Sequence, residues 1–161
     1  MIVVSDASPL IALGRIGRID LLKEIFGTLV LPDAVWKEVV EAGMQKIGAD
    51  EVGSALWITR QSVNDQDLVN LLRHDLGAGE AEAIVLAREC SADFLLIDER
   101  LGRSAAKSLG LKVVGLVGIL IEARDRGLII DAGSLMDRLH DEAGFWISED
   151  LRKLVTGDGS K

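Results

Sequence analysis

The stretch FLLIDERLGRSAAKSLGLKVVG, residues 94–115, decides the fold. It opens on four apolar residues, Phe94 to Ile97, which read as a strand buried on both faces. Helical spacing follows to about Leu109, and KVVG at 112–115 reads as a second strand. A strand, a helix and a strand in such close succession form the unit from which parallel sheets are built.

Working outward, the alternation recurs. IVVS at 2–5, TLVL at 28–31 and LWITR at 56–60 read as three further strands. A helix is expected to start with Ser8 as N-cap and Pro9 as its first residue. Others are expected over about 17–26, from Pro32 or Asp33 through about Ala42, and, more weakly, over 47–55. Residues 65–74 look helical, GAG at 77–79 breaks the pattern, and a helix then runs through Cys90. Helices over 116–127, 133–142 and 148–155 complete the body. The expectation is an α/β fold with a mainly parallel sheet of about five strands, one domain over 1–155, and a flexible tail over 156–161.

A chain of 161 residues can hide roughly two-thirds of its unfolded surface in one core. With 48% hydrophobic and 27% charged residues, it is not a disordered chain. Its 26 acids against 18 Lys and Arg give a net charge of -8, which argues against gripping nucleic acid by bulk positive charge. A local basic patch, or acids that hold a metal, stays open. The single cysteine, Cys90, forms no internal disulfide and points to a reducing, cytoplasmic compartment. Two histidines and one cysteine preclude a Cys/His zinc cluster, so metal chemistry would fall to carboxylates. The start, MIVVSDASPLIALGRI, is interrupted by Asp6 and Pro9 and lacks a basic leader, so neither a signal peptide nor a membrane span is expected.

Parallel sheets place their sites outside the carboxyl ends of the strands. Asp6 follows IVVS and Asp98 follows FLLI. Asp98 reads equally well as a helix N-cap, whereas at Asp6 the helix already has Ser8 and Pro9. Glu38 shares a helix face with Ala34 and Val35, an expensive place for a charge that nothing compensates. Glu80 lies over Ala83, Ile84 and Ala87, although a charge at a helix N-terminus would also explain it. Glu82, about 200° round the helix, competes with Glu80 as the third acid. Glu99, adjacent to Asp98, is open as a further acid but reads more readily as a surface residue. Four converging carboxylates would repel one another unless a hard cation such as Mg²⁺ or Mn²⁺ joined them.

In order along the chain, VVSDASPLIAL with Asp6, LPDAVWKEV with Glu38, GAGEAEAIVLA with Glu80 and LLIDERLGRSAAKSLGLKVVGLVGIL with Asp98 resemble PIN-domain nucleases, and within them the VapC-like toxin type. The resemblance covers nearly the whole chain. It implies a PIN-like three-layer α/β/α sandwich, and Asp6, Glu38, Glu80 and Asp98 as catalytic acids binding Mg²⁺ or Mn²⁺. It also implies cleavage of RNA to 5′-phosphate and 3′-hydroxyl ends, a homodimer, and a small antitoxin protein that blocks the site. Many PIN toxins carry Asp where Glu80 stands here. Ser8, Arg100 and Arg103 are the candidate substrate contacts; Arg100, Arg103 and Lys107 form one helical stripe, and Arg15 and Arg18 offer a second basic group. Three separated Trp residues read as core or interface rather than a base-stacking platform. The leading expectation is therefore a metal-dependent endoribonuclease, the toxin of a VapBC-like pair. The alternative is a PIN-like metal- or RNA-binding regulatory module with little catalysis.

Overall fold

The computed structural model describes residues 1–42 and 48–157. Five strands, β1 (Val3–Ser5), β2 (Leu29–Pro32), β3 (Ile58–Gln61), β4 (Phe94–Leu96) and β5 (Val113–Val114), form one all-parallel sheet in the order β3-β2-β1-β4-β5. Each falls where an apolar run was expected. Val3, Val4, Leu95 and Leu96 are buried, as strands covered on both faces must be.

Ten helices surround the sheet among the described residues: α1 (Ala7–Arg15), α2 (Asp20–Phe26), α3 (Asp33–Trp36), α4 (Ala49–Ser54), α5 (Gln66–Leu72), α6 (Ala78–Glu89), α7 (Arg100–Ser108), α8 (Leu116–Asp125), α9 (Ala132–Ala143) and α10 (Glu149–Thr156). Crossovers between parallel strands are right-handed, so reversing the direction of travel across the sheet moves the helices to the other face. The chain steps from β1 outward to β3, then returns to β4 and leaves the other way to β5. Accordingly α1 packs against α4 and α9, α2 meets α8, and α10 covers α8 and α9, while α5 and α7 pack on α6, which also meets α3. This is the α/β/α layering of a PIN-like fold.

Several elements differ in detail from the sequence reading. α1 begins at Ala7, with Asp6 in the N-cap position and Ser8 and Pro9 inside the first turn. The first-turn amides have no intrahelical partner, so proline is tolerated there. The helix expected through Ala42 changes after Trp36 into a π-helical turn, Lys37–Glu41, closed by the Ala42 N–H on the Lys37 carbonyl at 2.7 Å. GAG at 77–79 starts α6 instead of interrupting the chain: Gly77 is its N-cap. Ser148 caps α10 by accepting from the Leu151 N–H. Of the expected tail, Thr156 closes α10 and Gly157 follows in a left-handed conformation; residues 158–161 lie outside the described residues, as does Ile47 of the helix expected over 47–55. Trp146, expected in the core or an interface, is 74% exposed and so stands outside the core. No helix among the described residues is long and apolar enough to cross a membrane.

Gly48 is where backbone meets backbone. Its φ is +96°, and a Cβ there would stand 2.7 Å from the Gly14 Cα on α1. Gly48→Ala combines a left-handed penalty with a clash that no rotamer relieves, and is expected to cost about 2–3 kcal/mol. Urea unfolding of the two proteins measures it; an unchanged midpoint contradicts it.

Candidate functional site

β1 and β4 are neighbours, and the helices that follow them depart to opposite faces, so the sheet opens a crevice between their carboxyl ends. Asp6 and Asp98 stand at its two sides. The Asp6 N–H continues the ladder by donating to the Leu96 carbonyl at 2.8 Å, which fixes Asp6 on the rigid sheet edge.

The crevice opens into a cleft of about 410 Å³. Asp6 and Ser8 come from the end of β1 and the start of α1, Ala34 and Glu38 from α3 and its π-helical turn, Gly77 to Glu80 from the start of α6, and Glu99 from the N-cap of α7. Gly79 marks how closely these approach. A Cβ built on it would lie 3.5 Å from Asp6 Oδ1, 4.0 Å from Glu38 Oε2 and 3.4 Å from Val35 Cγ2.

Each acid is held differently. Asp6 is 3% exposed, and its carboxyl is pushed up to about 7, first by burial and then by the charges of Glu80, Glu38 and Asp98; the Ala7 amide opposes the shift. Glu80 uses one oxygen to cap its own helix, accepting from the Gly77 N–H at 3.3 Å. Its other oxygen, Oε2, is buried without a hydrogen-bond partner among the described residues. Burial, followed by repulsion from Glu99 and Glu38, raises its pKa against the Gly77 hydrogen bond. A Cβ on Gly102 would come within 2.9 Å of that Oε2 and 2.7 Å of Ile97 Cδ1, so a larger residue there would have to displace those two side-chain ends.

Asp98 does not cap α7, whose N-cap is Glu99. Its Oδ1 accepts from the Leu116 N–H at 2.8 Å, in the first turn of α8, and its Oδ2 is buried with no hydrogen-bond partner among the described residues. Burial raises its pKa, while the Leu116 hydrogen bond and Arg103 pull it down. Glu38 is exposed at the cleft rim rather than sunk in the apolar stripe, because the π-helical turn begins just before it. Such turns recur at functional sites.

Glu82, the rival for the third acid, is turned away from the cleft: its Oε1 accepts from the Ala34 N–H at 2.9 Å. Arg103, read as a phosphate contact, donates instead to the Ile97 carbonyl at 3.1 Å, half-buried beside Asp98. Arg15 and Arg18 sit at and just beyond the far end of α1, where they donate to the Ala143 and Leu128 carbonyls. Arg100 is exposed at the start of α7, next to Glu99. Burial raises the pKa of the Cys90 thiol, the wrong direction for a nucleophile.

Glu99, read as a surface residue more readily than as a further acid, lines the cleft. Its only signal was its place, one residue beyond Asp98 at the carboxyl edge of the sheet. The donor set of the cleft is all oxygen, which suits a hard divalent cation; Glu80 brings to it a buried oxygen with no hydrogen-bond partner among the described residues, whereas Asp98, which has another, stands outside the cleft lining. Among the described residues no three His, Cys, Asp or Glu side chains stand close enough to share one ion. Mutual repulsion of like charges acts in that direction.

A family model described as DUF3368, PIN domain, matches residues 2–158. The structure is similar to that of a PilT N-terminus domain protein from the hyperthermophilic archaeon Sulfolobus solfataricus, with a TM-score of 0.54 and 17% identity, covering 76% of this chain and 93% of that one. At that identity the likeness bears on the fold alone. No curated protein matches the sequence.

Proposed function

Since the chain belongs to the PIN-domain family, whose members are generally nucleases, we propose that the acidic cleft is the site of a metal-dependent endoribonuclease. The observation that supports this best is the cleft at the switch point of the sheet that Asp6, Glu38, Glu80 and Glu99 line, with Asp98 outside that lining but near enough for its charge to act on Asp6.

In this reading Asp6, Glu38, Glu80 and Asp98 would hold Mg²⁺ or Mn²⁺. The bound ion supplies Lewis-acid polarisation of the phosphate and a lowered pKa for the attacking water. The protein's own residues supply placement. Asp6 and Asp98 follow two hydrogen-bonded neighbouring strands, so their backbone is set in place before a phosphate arrives. The Ser8 hydroxyl, on the cleft wall, can donate to a phosphate oxygen, and Arg100 can pair with a phosphate flanking the reacting one. Water adds its oxygen to phosphorus, the bond to the 3′ oxygen breaks, and that oxygen takes a proton. The products are a 5′-phosphate and a 3′-hydroxyl.

The finer reading is the toxin of a VapBC-like pair, a cytoplasmic homodimer whose cleft a small antitoxin would shield. The order and spacing of the four motifs support it. Purified protein given Mn²⁺ or Mg²⁺ and a panel of structured and unstructured RNAs is expected to cleave at least one, and EDTA to stop it. Cleavage that survives both EDTA and Asp6→Asn overturns the mechanism. A second reading, a metal- or RNA-binding module with little catalysis, is favoured by the spacing of the carboxylates. Calorimetric Mn²⁺ binding with no cleavage of any RNA selects it.

A further inference from the structure

Two glutamates two residues apart on α6 point to opposite duties. Glu80 lines the cleft, while Glu82 reaches across to α3. The start of α3 needs an outside partner. Its N-cap is Pro32, which has no side-chain acceptor, and its first-turn amides have no intrahelical carbonyl. Glu82 Oε1 takes the Ala34 N–H at 2.9 Å in a half-buried setting. From the other side, Asp33 is held by Arg60 Nε and Ser62 Oγ, each at 2.7 Å. The beginning of α3 is thus clamped between α6 and the region of β3.

Glu38 follows Ala34 by four residues, about one turn or 6 Å along the helix. Whatever fixes Ala34 against α6 therefore fixes the separation of Glu38 from Glu80 across the cleft. We propose that Glu82 is a positioning residue: it does not enter the site, but sets the distance between the two glutamates that do. This rests on the metal-dependent reading of the cleft. It also explains why both glutamates of GEAEAI occur where one metal ligand would suffice.

The test separates reach from charge. Glu82→Gln keeps the acceptor oxygen at full length and loses the charge, whereas Glu82→Asp keeps the charge and loses the reach. Mn²⁺ affinity is measured by calorimetry and exchange of the Ala34 amide by NMR. Glu82→Gln is expected to bind Mn²⁺ within a fewfold of wild type and keep Ala34 protected. Glu82→Asp and Glu82→Ala are expected to lose that protection and bind Mn²⁺ about tenfold or more weakly, the usual scale for groups that orient metal ligands. Glu80→Gln should weaken Mn²⁺ binding yet leave Ala34 protected. A Glu82→Gln defect as large as that of Glu80→Gln overturns the proposal, because the charge itself would then be in the site. So does unchanged Mn²⁺ affinity in Glu82→Asp. If Glu82→Ala fails to fold, the Asp and Gln variants decide. If wild type binds no Mn²⁺, the metal reading falls, and Ala34 exchange alone judges the clamp: faster exchange in Glu82→Asp but not in Glu82→Gln supports it, and any other pattern overturns it.

Discussion

Asp6→Asn is expected to lower RNA cleavage by about 10³-fold while raising the melting temperature of the metal-free protein. The two effects share one cause. Asp6 is the most buried acid of the cleft, and its neighbours Glu80, Glu38 and Asp98 all repel its charge. Asparagine has the same shape but removes the negative charge that the proposed ion would meet at Asp6. Metal-ion stabilisation of a transition state is worth several kcal/mol, and each 1.36 kcal/mol is tenfold in rate. In the absence of metal the same charge is only a cost. Its removal at neutral pH relieves desolvation and repulsion, and the new amide can donate to a nearby carboxylate. A gain of about 1–2 kcal/mol corresponds to roughly 3–6 °C for a chain of this size. Initial rates with Mn²⁺ and calorimetric melting in EDTA measure the two effects. Wild-type cleavage, or a fall in both quantities, contradicts the assignment of Asp6.

The second large effect is on pH. The carboxyl of Asp6 titrates near 7 in the folded chain against 3.8 for an unperturbed aspartate. Between those values the folded protein holds a proton that the unfolded chain has released, so metal-free stability falls as pH rises. The penalty is absent below about pH 4 and complete above about pH 7. At 1.36 kcal/mol per pH unit it reaches roughly 4 kcal/mol. Glu80 and Asp98 shift in the same direction and steepen the slope. Divalent metal should reverse it, since an ion at 100 times its dissociation constant adds about 2.7 kcal/mol. Urea unfolding in EDTA at several pH values, repeated with Mn²⁺, gives the curves. Asp6→Asn is the control, because self-repulsion from a net charge of -8 also grows with pH and would remain in the variant. Equal slopes in the two proteins would remove Asp6 as the source.

The strands and the acids that end them were legible because burial on both faces leaves unbroken apolar runs, and the residue after each run marks the sheet edge. Asp6 and Asp98 were found that way. The strand order was not legible, since nothing in the run IVVS says that β4 rather than β3 pairs with it on the far side. Glu38 was placed on the right helix but given too deep a setting, because a period of 3.6 cannot foresee the π-helical turn at Lys37. Helical geometry also separated Glu80 from Glu82 by direction. It could not say which direction held the cleft, because that depends on where α3 lies against α6. Arg103 looked like a surface cation for a similar reason: the carbonyl that receives it, on Ile97, belongs to the chain just before its own helix.

The hydrogen bond from Leu116 to Asp98 has a consequence well away from the cleft. α8 begins on that carboxylate and, near its other end, Arg124 donates to the Leu154 and Val155 carbonyls of α10. An acid at the sheet edge, the first turn of α8 and the last turn of α10 are thus linked in series. A change at the Asp98 carboxylate is expected to alter how firmly the front of α8 is held, since the Leu116 hydrogen bond ends on it. Amide exchange in the closing helices therefore becomes a remote gauge of events at the site, readable without any substrate.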